Sequence, residues 1–298
     1  MPSAPPAFSG NYPLETHQHE IERLRIQSEA MAPDTLHMLR LIGVREGWSC
    51  LDLGCGPVGI ASLLSPLAGP TGRVLGLDRN AGFLDHARAT APANTTFQQG
   101  DACRSGLPDN TFDLVHLRFV ASTAGVPERQ LLDEAIRVTR PGGIVALQEP
   151  DAETLHCDPP HPAWDRLKHA LLGAFAGVGA DLRLARRLYS VVHATGLEDV
   201  QYRTCILGVR AQDPMIDYLP STVESLRGTV LRLGLLTEAE FPQLLADCRE
   251  HLRRPDASFT MYTLAQVWGR KPVTDAPPRA AGTSPATPSA TPPPDPPA

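Results

Sequence analysis

Leu51-Asp52-Leu53-Gly54-Cys55-Gly56-Pro57-Val58-Gly59 is the stretch that decides the fold. An apolar run enters it from Trp48, and an apolar, helix-like segment, Ile60 to Leu67, leaves it. It therefore reads as a buried strand, a tight glycine turn and a helix. Small residues at Gly54 and Gly56 let a ligand approach the backbone, where free N–H groups and the helix dipole favour negative charge. Many nucleotide-binding folds place a glycine-rich turn here, so the turn alone does not name its ligand.

Downstream, strands are expected at 48–53, 73–77, 95–99, 112–117 and 143–148, with helices near 58–68, 80–91 and 127–138 and a short crossover before Asp113. This alternation predicts a parallel sheet with helices on both faces. In such sheets ligands sit beyond the C-terminal strand ends. That places Gly54, Asp78, Asp101, Arg118 and Glu149 on one rim, each just past a predicted strand. After Pro150, helices are expected at 161–175 and 181–195, a strand at 200–209, a helical stretch at 214–253 and a last strand at 259–268. Thr237 and Glu240 are spaced as a capping box.

Upstream, two helices are expected, from Glu15 to Met31 and from Asp34, a plausible N-cap, to Gly43. They read as a flank packed on the sheet, or as a lid bringing Tyr12, Arg25 or Gln27 to the ligand. Residues 1–14 are expected to be disordered. So is the tail 272–298, with ten prolines in 27 residues.

The chain has 298 residues, 42% hydrophobic and 20% charged, enough for one large α/β domain with a sizeable core. The net charge of −6 speaks against a nucleic-acid partner, which leaves a basic footprint. Six cysteines without a CxxC pair suggest neither a disulfide framework nor a zinc ribbon, and point to a reducing cytoplasm. No apolar run approaches the ~20 residues that a membrane span needs. His156-Cys157-Asp158-Pro159-Pro160-His161 has zinc-type side chains at a spacing that matches no closed site, so no metal is assigned. It reads better as a turn lining a substrate pocket. His116 reads as packed within its strand; Met215, Tyr218 and Phe241 read as core or pocket wall.

Gly54-x-Gly56-x-x-Gly59, with Asp78 placed 24 residues after Gly54 to accept ribose hydroxyls, fits NAD and S-adenosylmethionine alike. Four details separate them. Asp52 puts a carboxylate close to the turn, where it helps an ammonium and harms a pyrophosphate. Gln99-Gly100-Asp101-Ala102 ends the third strand with a carboxylate and an N–H suited to an adenine edge. Leu107-Pro108 with Phe112-Asp113-Leu114-Val115 opens the fourth strand, and Arg140-Pro141-Gly142-Gly143 turns into the fifth.

Together these residues resemble the class I S-adenosylmethionine-dependent methyltransferases, on the small-molecule branch that includes the ubiquinone/menaquinone-biosynthesis type. The resemblance covers residues 45–150 and, weakly, the N-terminal helix and Val267-Trp268-Gly269-Arg270-Lys271. It implies a Rossmann-like, seven-stranded, mostly parallel sheet with an antiparallel last strand and helices on both faces. In this reading residues 45–271 form the methyltransferase domain, 15–44 a helical lid, and 152–180 and 211–256 a helical cap. It also implies S-adenosyl-L-methionine as cofactor, with Gly54 and Gly56 at its methionine part and Asp52 near its ammonium. Asp78 would hold the ribose, Arg79 flank the adenine, Asp101 and Ala102 read the adenine edge, and Arg118 line the methionine end.

The implied reaction is an in-line displacement at the sulfonium methyl, in which the protein aligns the acceptor and excludes water. Glu149 and His156 are the preferred chemical pair because they follow the fifth strand; Asp151, His161, His17, His19 and Tyr12 are further candidates. The expected acceptor is a small hydrophobic or aromatic metabolite, and a homodimer is compatible with the sequence. A protein or RNA methyltransferase, or a non-catalytic cofactor-binding protein of the same fold, are the alternatives.

Overall fold

A computed structural model describes residues 18–273. The segment 1–14, Tyr12, His17, the side chain of His19 and the tail from residue 274 lie outside the described residues. In chain order the elements are α1 (Gln18–Ile42), β1 (Ser49–Leu53), α2 (Ala61–Ala68), β2 (Arg73–Asp78), α3 (Ala81–Ala89), β3 (Thr95–Gln99), β4 (Phe112–Arg118), α4 (Glu128–Val138) and β5 (Thr139–Asp151). Then come β6 (His156–Asp158), α5 (Pro162–Ala176), α6 (Leu188–His193), β7 (Glu198–Cys205), β8 (Gly208–Arg210), α7 (Tyr218–Ser225), α8 (Arg227–Arg232), α9 (Glu240–Leu252), β9 (Ser258–Thr260) and β10 (Thr263–Arg270).

Seven strands form the main sheet in the order β3-β2-β1-β4-β5-β10-β7. β1 pairs in parallel with β2 and β4, while β10 runs antiparallel between β5 and β7. This is the Rossmann-like, mostly parallel sheet with an antiparallel last strand that the sequence predicts. The chain leaves β1 toward β3 on one side and returns to β4 on the other, so the topological switch lies between β1 and β4. Gly54 and Arg118 stand at that switch, where such sheets bind ligands. All five residues of β1 are buried, as expected for a strand covered on both faces.

Three expectations change. The two N-terminal helices are one helix of 25 residues with Pro33 inside it, so Asp34 is not an N-cap. The buried stripe Gln27, Met31, Thr35, Met38 and Leu39 runs unbroken past Pro33, which lies on the exposed face. Packing on the sheet therefore outweighs the one hydrogen bond the proline removes. The strand expected at 200–209 splits into β7 and β8, and that at 259–268 into β9 and β10. The first segment passes from the main sheet into a three-stranded sheet, β6-β9-β8, the second passes back from it into the main sheet, and Met261 N donates to Leu207 O at 2.8 Å where they cross. The long helical region breaks into α7, α8 and α9. These pack with α5 and the small sheet around Trp164, Phe175, Leu219 and Phe241. Thr237 does receive Glu240 N (3.2 Å), as the capping box predicts. Among the described residues no helix is long and apolar enough to cross a membrane.

Candidate active site

A cavity of about 220 Å³ opens over the C-terminal ends of β1 and β4. One end is built by the turns after β1, β2 and β3. Asp52 is 2% exposed; its Oδ2 accepts from Ile60 N (2.8 Å) at the start of α2, and its Oδ1 faces His116 Nδ1 (3.0 Å). Each carboxylate oxygen retains a further lone pair. Gly56 has φ +60°, and a Cβ there would meet nothing within 4 Å, which leaves the backbone open to a close ligand. Asp78 is held by Gly56 N (2.8 Å) and Asn80 N (2.8 Å), and Asn80 in turn caps α3 through Phe83 N. Asp101 Oδ1 accepts from Cys103 N (2.8 Å), so the loop after β3 presents Asp101 and Ala102 side by side. Arg79 is exposed at the rim, its carbonyl held by Gln99 Nε2 (2.9 Å).

Arg118 ends β4. Its Nη2 donates to Ser28 Oγ (2.9 Å) on α1, while its Nη1 is buried without a partner. Burial pulls its pKa down and Asp52 pulls it up. An orphaned guanidinium N–H in the wall of a cavity favours an anionic ligand group.

The other end is apolar and aromatic. Phe119, Leu171, Phe175, Leu182, Tyr218 and Tyr262 line it. Tyr262 meets Phe119 edge-on (centroids 5.8 Å) and Tyr218 (5.9 Å). Arg23 pairs with Glu20, bonds Gln27 Oε1 (2.9 Å) and lies over the Tyr218 ring. Gln27 Nε2 donates to Tyr262 OH (2.7 Å), tying α1 to the entry of β10. Burial raises the pKa of both tyrosines, so they stay protonated, and the Tyr262 hydroxyl donates to Met31 Sδ (3.7 Å). Burial likewise pushes the Cys103 thiol, also in the wall, up to about 11, which removes it as a nucleophile at neutral pH.

The cavity thus gathers Asp52, Gly54, Gly56, Asp78, Arg79, Asp101, Ala102 and Arg118, the whole set drawn from the motifs, and Gln27 from the helix before them. It does not gather Glu149 and His156. Glu149 is fully buried on the opposite side of β5 from Gln148 and Pro150. Its Oε1 accepts from Ala121 N (3.0 Å), and its Oε2 from Ser122 N (3.1 Å) and Ser122 Oγ. It pins the loop after β4 that carries Phe119, Val120 and Thr123 to the cavity. His156 is exposed on β6, paired across to Thr260 in the small sheet. His161 caps α5 through Ala163 N and stacks on His251 (4.5 Å), so the 156–161 segment frames the small sheet and is not a pocket turn. Asp151 is bound to Arg186, and Arg25 is paired with Glu22 and Glu29 on the outside of α1. Met215 and Phe241 are core; Tyr218 is wall. Sequence reasoning missed Arg23, Phe119, Leu171, Phe175 and Tyr262. Only Tyr262, a polar tip in an apolar run, carried a local signal.

Residues 51–147 match the family model described as a methyltransferase domain. A demethylmenaquinone methyltransferase of Staphylococcus aureus is 31% identical over 145 residues, 48% of this chain and 54% of the relative. An uncharacterised 37.1 kDa transposon protein of Streptomyces fradiae is 36% identical over 126 residues, 41% of this chain and 36% of the relative. The chain thus spans about half or less of the relatives it matches. Among solved structures, a phosphoethanolamine N-methyltransferase of Haemonchus contortus, crystallised with phosphomonomethylethanolamine and S-adenosylhomocysteine, superposes with TM-score 0.53 at 17% identity. The match covers 90% of this chain and 61% of that one, a likeness of fold. Over residues 51–147 the chain thus carries a methyltransferase domain.

Proposed function

We propose that the protein transfers a methyl group from S-adenosylmethionine to a small, hydrophobic or aromatic metabolite. The observation that carries this reading is one cavity with two unlike ends. Carboxylates and open backbone line the end at Gly54–Asp101, and aromatic and aliphatic side chains line the other. The residues at the polar end fit the cofactor's parts. The free lone pairs of Asp78 suit ribose hydroxyls, and Asp101 with Ala102 N–H suits the adenine edge, flanked by Arg79. Gly54 and Gly56 suit the close approach of the methionine chain, Asp52 its ammonium, and the unpartnered Arg118 Nη1 its carboxylate.

When bound, S-adenosylmethionine supplies a methyl group already activated on sulfur for in-line displacement. The chain's own work is alignment and exclusion of water. Phe119, Phe175 and Leu171 bury the acceptor's apolar body, while Tyr218, held protonated, offers a hydrogen bond to an acceptor oxygen. α1 is the lid, since Arg23, Leu24, Gln27 and Ser28 close one wall. α5, α7, α8 and α9 with the small sheet are the cap. The six free cysteines suit a cytoplasmic setting.

The test is calorimetry of the full chain with S-adenosylmethionine and S-adenosylhomocysteine, followed by detection of released S-adenosylhomocysteine with hydroxylated aromatics, peptides or RNA as acceptor. Both ligands are expected to bind wild type and to bind Asp78→Ala at least tenfold more weakly. Binding of neither ligand overturns the reading. Turnover with peptide or RNA but with no small aromatic overturns the acceptor class.

A further inference from the structure

A row of buried polar side chains crosses the sheet beneath α1. On that face Cys50, Leu114, Ile144, Ala146 and Trp268 form an apolar layer under Met38 and Leu39. One pleat nearer the cavity the same face carries Asp52, His116, Gln148 and Gln266, each 2% exposed or less. Strand register explains the row. Asp52 stands opposite His116, and Gln266 stands opposite both Gln148 and Arg203. His116 Nδ1 lies 3.0 Å from Asp52 Oδ1, and His116 Nε2 lies 2.8 Å from Gln148 Nε2. Gln148 Oε1 accepts from Gln266 Nε2 (2.7 Å) and from Thr35 Oγ1 of α1 (3.1 Å), and Gln266 Oε1 accepts from Arg203 Nη1 (2.7 Å).

The direction of every bond follows from the far end. A guanidinium can only donate, so Gln266 must turn its oxygen to Arg203 and its amide N–H to Gln148. Gln148 must then turn its oxygen to Gln266 and its N–H to His116, whose Nε2 is left to accept. The ring proton therefore sits on Nδ1 and points at Asp52, a carboxylate that can only accept. Burial also holds the ring neutral by lowering its pKa. Turning either amide over would set two donors face to face in the interior, where each unmade bond is expensive.

We infer that His116 is a positioning residue for cofactor binding: oriented from Arg203 through Gln266 and Gln148, it donates to Asp52 and aims that carboxylate's remaining lone pairs at the ammonium of the bound amino acid. This rests on the reading of the polar end of the cavity as the S-adenosylmethionine site. The same row ties α1, through Thr35, to the acid that faces the ligand.

The discriminating probe is 5′-methylthioadenosine, which keeps the adenosine and the sulfur but lacks the amino-acid part. Full-length His116→Leu is expected to bind S-adenosylhomocysteine about thirtyfold more weakly, about 2 kcal/mol at 1.4 kcal/mol per tenfold, and 5′-methylthioadenosine within about twofold of wild type. His116→Asn, whose amide N–H can stand in for Nδ1–H, is expected to recover most of the affinity. Gln148→Met leaves the ring but frees its tautomer, and carries the same selective loss at about fivefold if the leucine variant does not fold. Nitrogen chemical shifts of wild-type His116 are expected to report the neutral Nδ1–H form. Parallel loss of both ligands, unchanged S-adenosylhomocysteine affinity, or an Nε2–H tautomer overturns the inference. A wild-type chain that binds 5′-methylthioadenosine but not S-adenosylhomocysteine also overturns it, while one that binds neither ligand overturns the cofactor reading beneath it.

Discussion

Glu149 sits at 0% exposure in β5, its oxygens taken by Ala121 N, Ser122 N and Ser122 Oγ. Burial pushes its pKa up from 4.5 to about 7, against the pull of those donors and of the Val120 backbone. The folded state therefore holds this proton more tightly than the unfolded chain does. Its contribution to stability is full below about pH 4.5 and is lost as pH rises through about 7. The difference of about 2.5 pKa units, at 1.36 kcal/mol each, amounts to about 3 kcal/mol across the window. Glu149→Gln has no proton to lose and places an N–H against one donor, a pH-independent penalty of about 1–3 kcal/mol. Urea unfolding of wild type and variant near pH 5 and near pH 8 separates the two effects. The wild-type advantage is expected to shrink by about 2–3 kcal/mol between those conditions. Stability differences that stay constant with pH would refute the reasoning. They would mean that the carboxyl is solvated and ionised throughout, which would return it to the cavity rim.

Four further outcomes are expected. Gly56→Ala strains a φ of +60° but meets no atom within 4 Å. It is expected to lose about 1–2 kcal/mol of stability and at least tenfold in S-adenosylhomocysteine affinity by calorimetry. Gly54→Ala drives a Cβ to 2.5 Å from Val120 Cγ2, so its main effect is on stability, with a thermal melt showing the larger drop of the two. Tyr262→Phe strands Gln27 Nε2 and loosens α1, for a loss of about 1–3 kcal/mol in chemical unfolding. Trp164→Phe removes volume but also an indole N–H that is buried without a partner. Its cost in chemical unfolding is expected to stay under about 2 kcal/mol, well below an ordinary aromatic deletion.

The order of strands and helices from β1 to β5 was legible because each crossover imposes its own period, and the glycine turn marks where the first crossover begins. The joins at 206–207 and 261–262 were not legible. The alternation from Cys205 to Val209 and from Phe259 to Leu264 satisfies one sheet as well as another, so nothing local says that the chain changes sheets. Pro33 misled for a related reason. A proline reads as a break until one knows which side of the helix faces water, and here the buried stripe passes it by.

The polar end of the site was legible for a geometric reason that also explains the misplacement of Glu149. Gly54, Asp78, Asp101 and Arg118 stand at or just past the ends of short parallel strands, where the chain leaves the sheet and the side chain reaches the cavity whatever the strand's parity. Glu149 was placed on the same rim by treating β5 as ending at 148. In the structure β5 runs to Asp151 because antiparallel β10 pairs with it through Asp151, and Glu149 lies opposite Ala265 inside that ladder. Within a strand, parity decides the face: Gln148 and Pro150 turn toward α1 and the cavity, and Glu149 turns away, beneath the loop after β4. A partner distant in sequence thus decides on which face a residue works, and it converts the expected base into the clamp of a loop that lines the site.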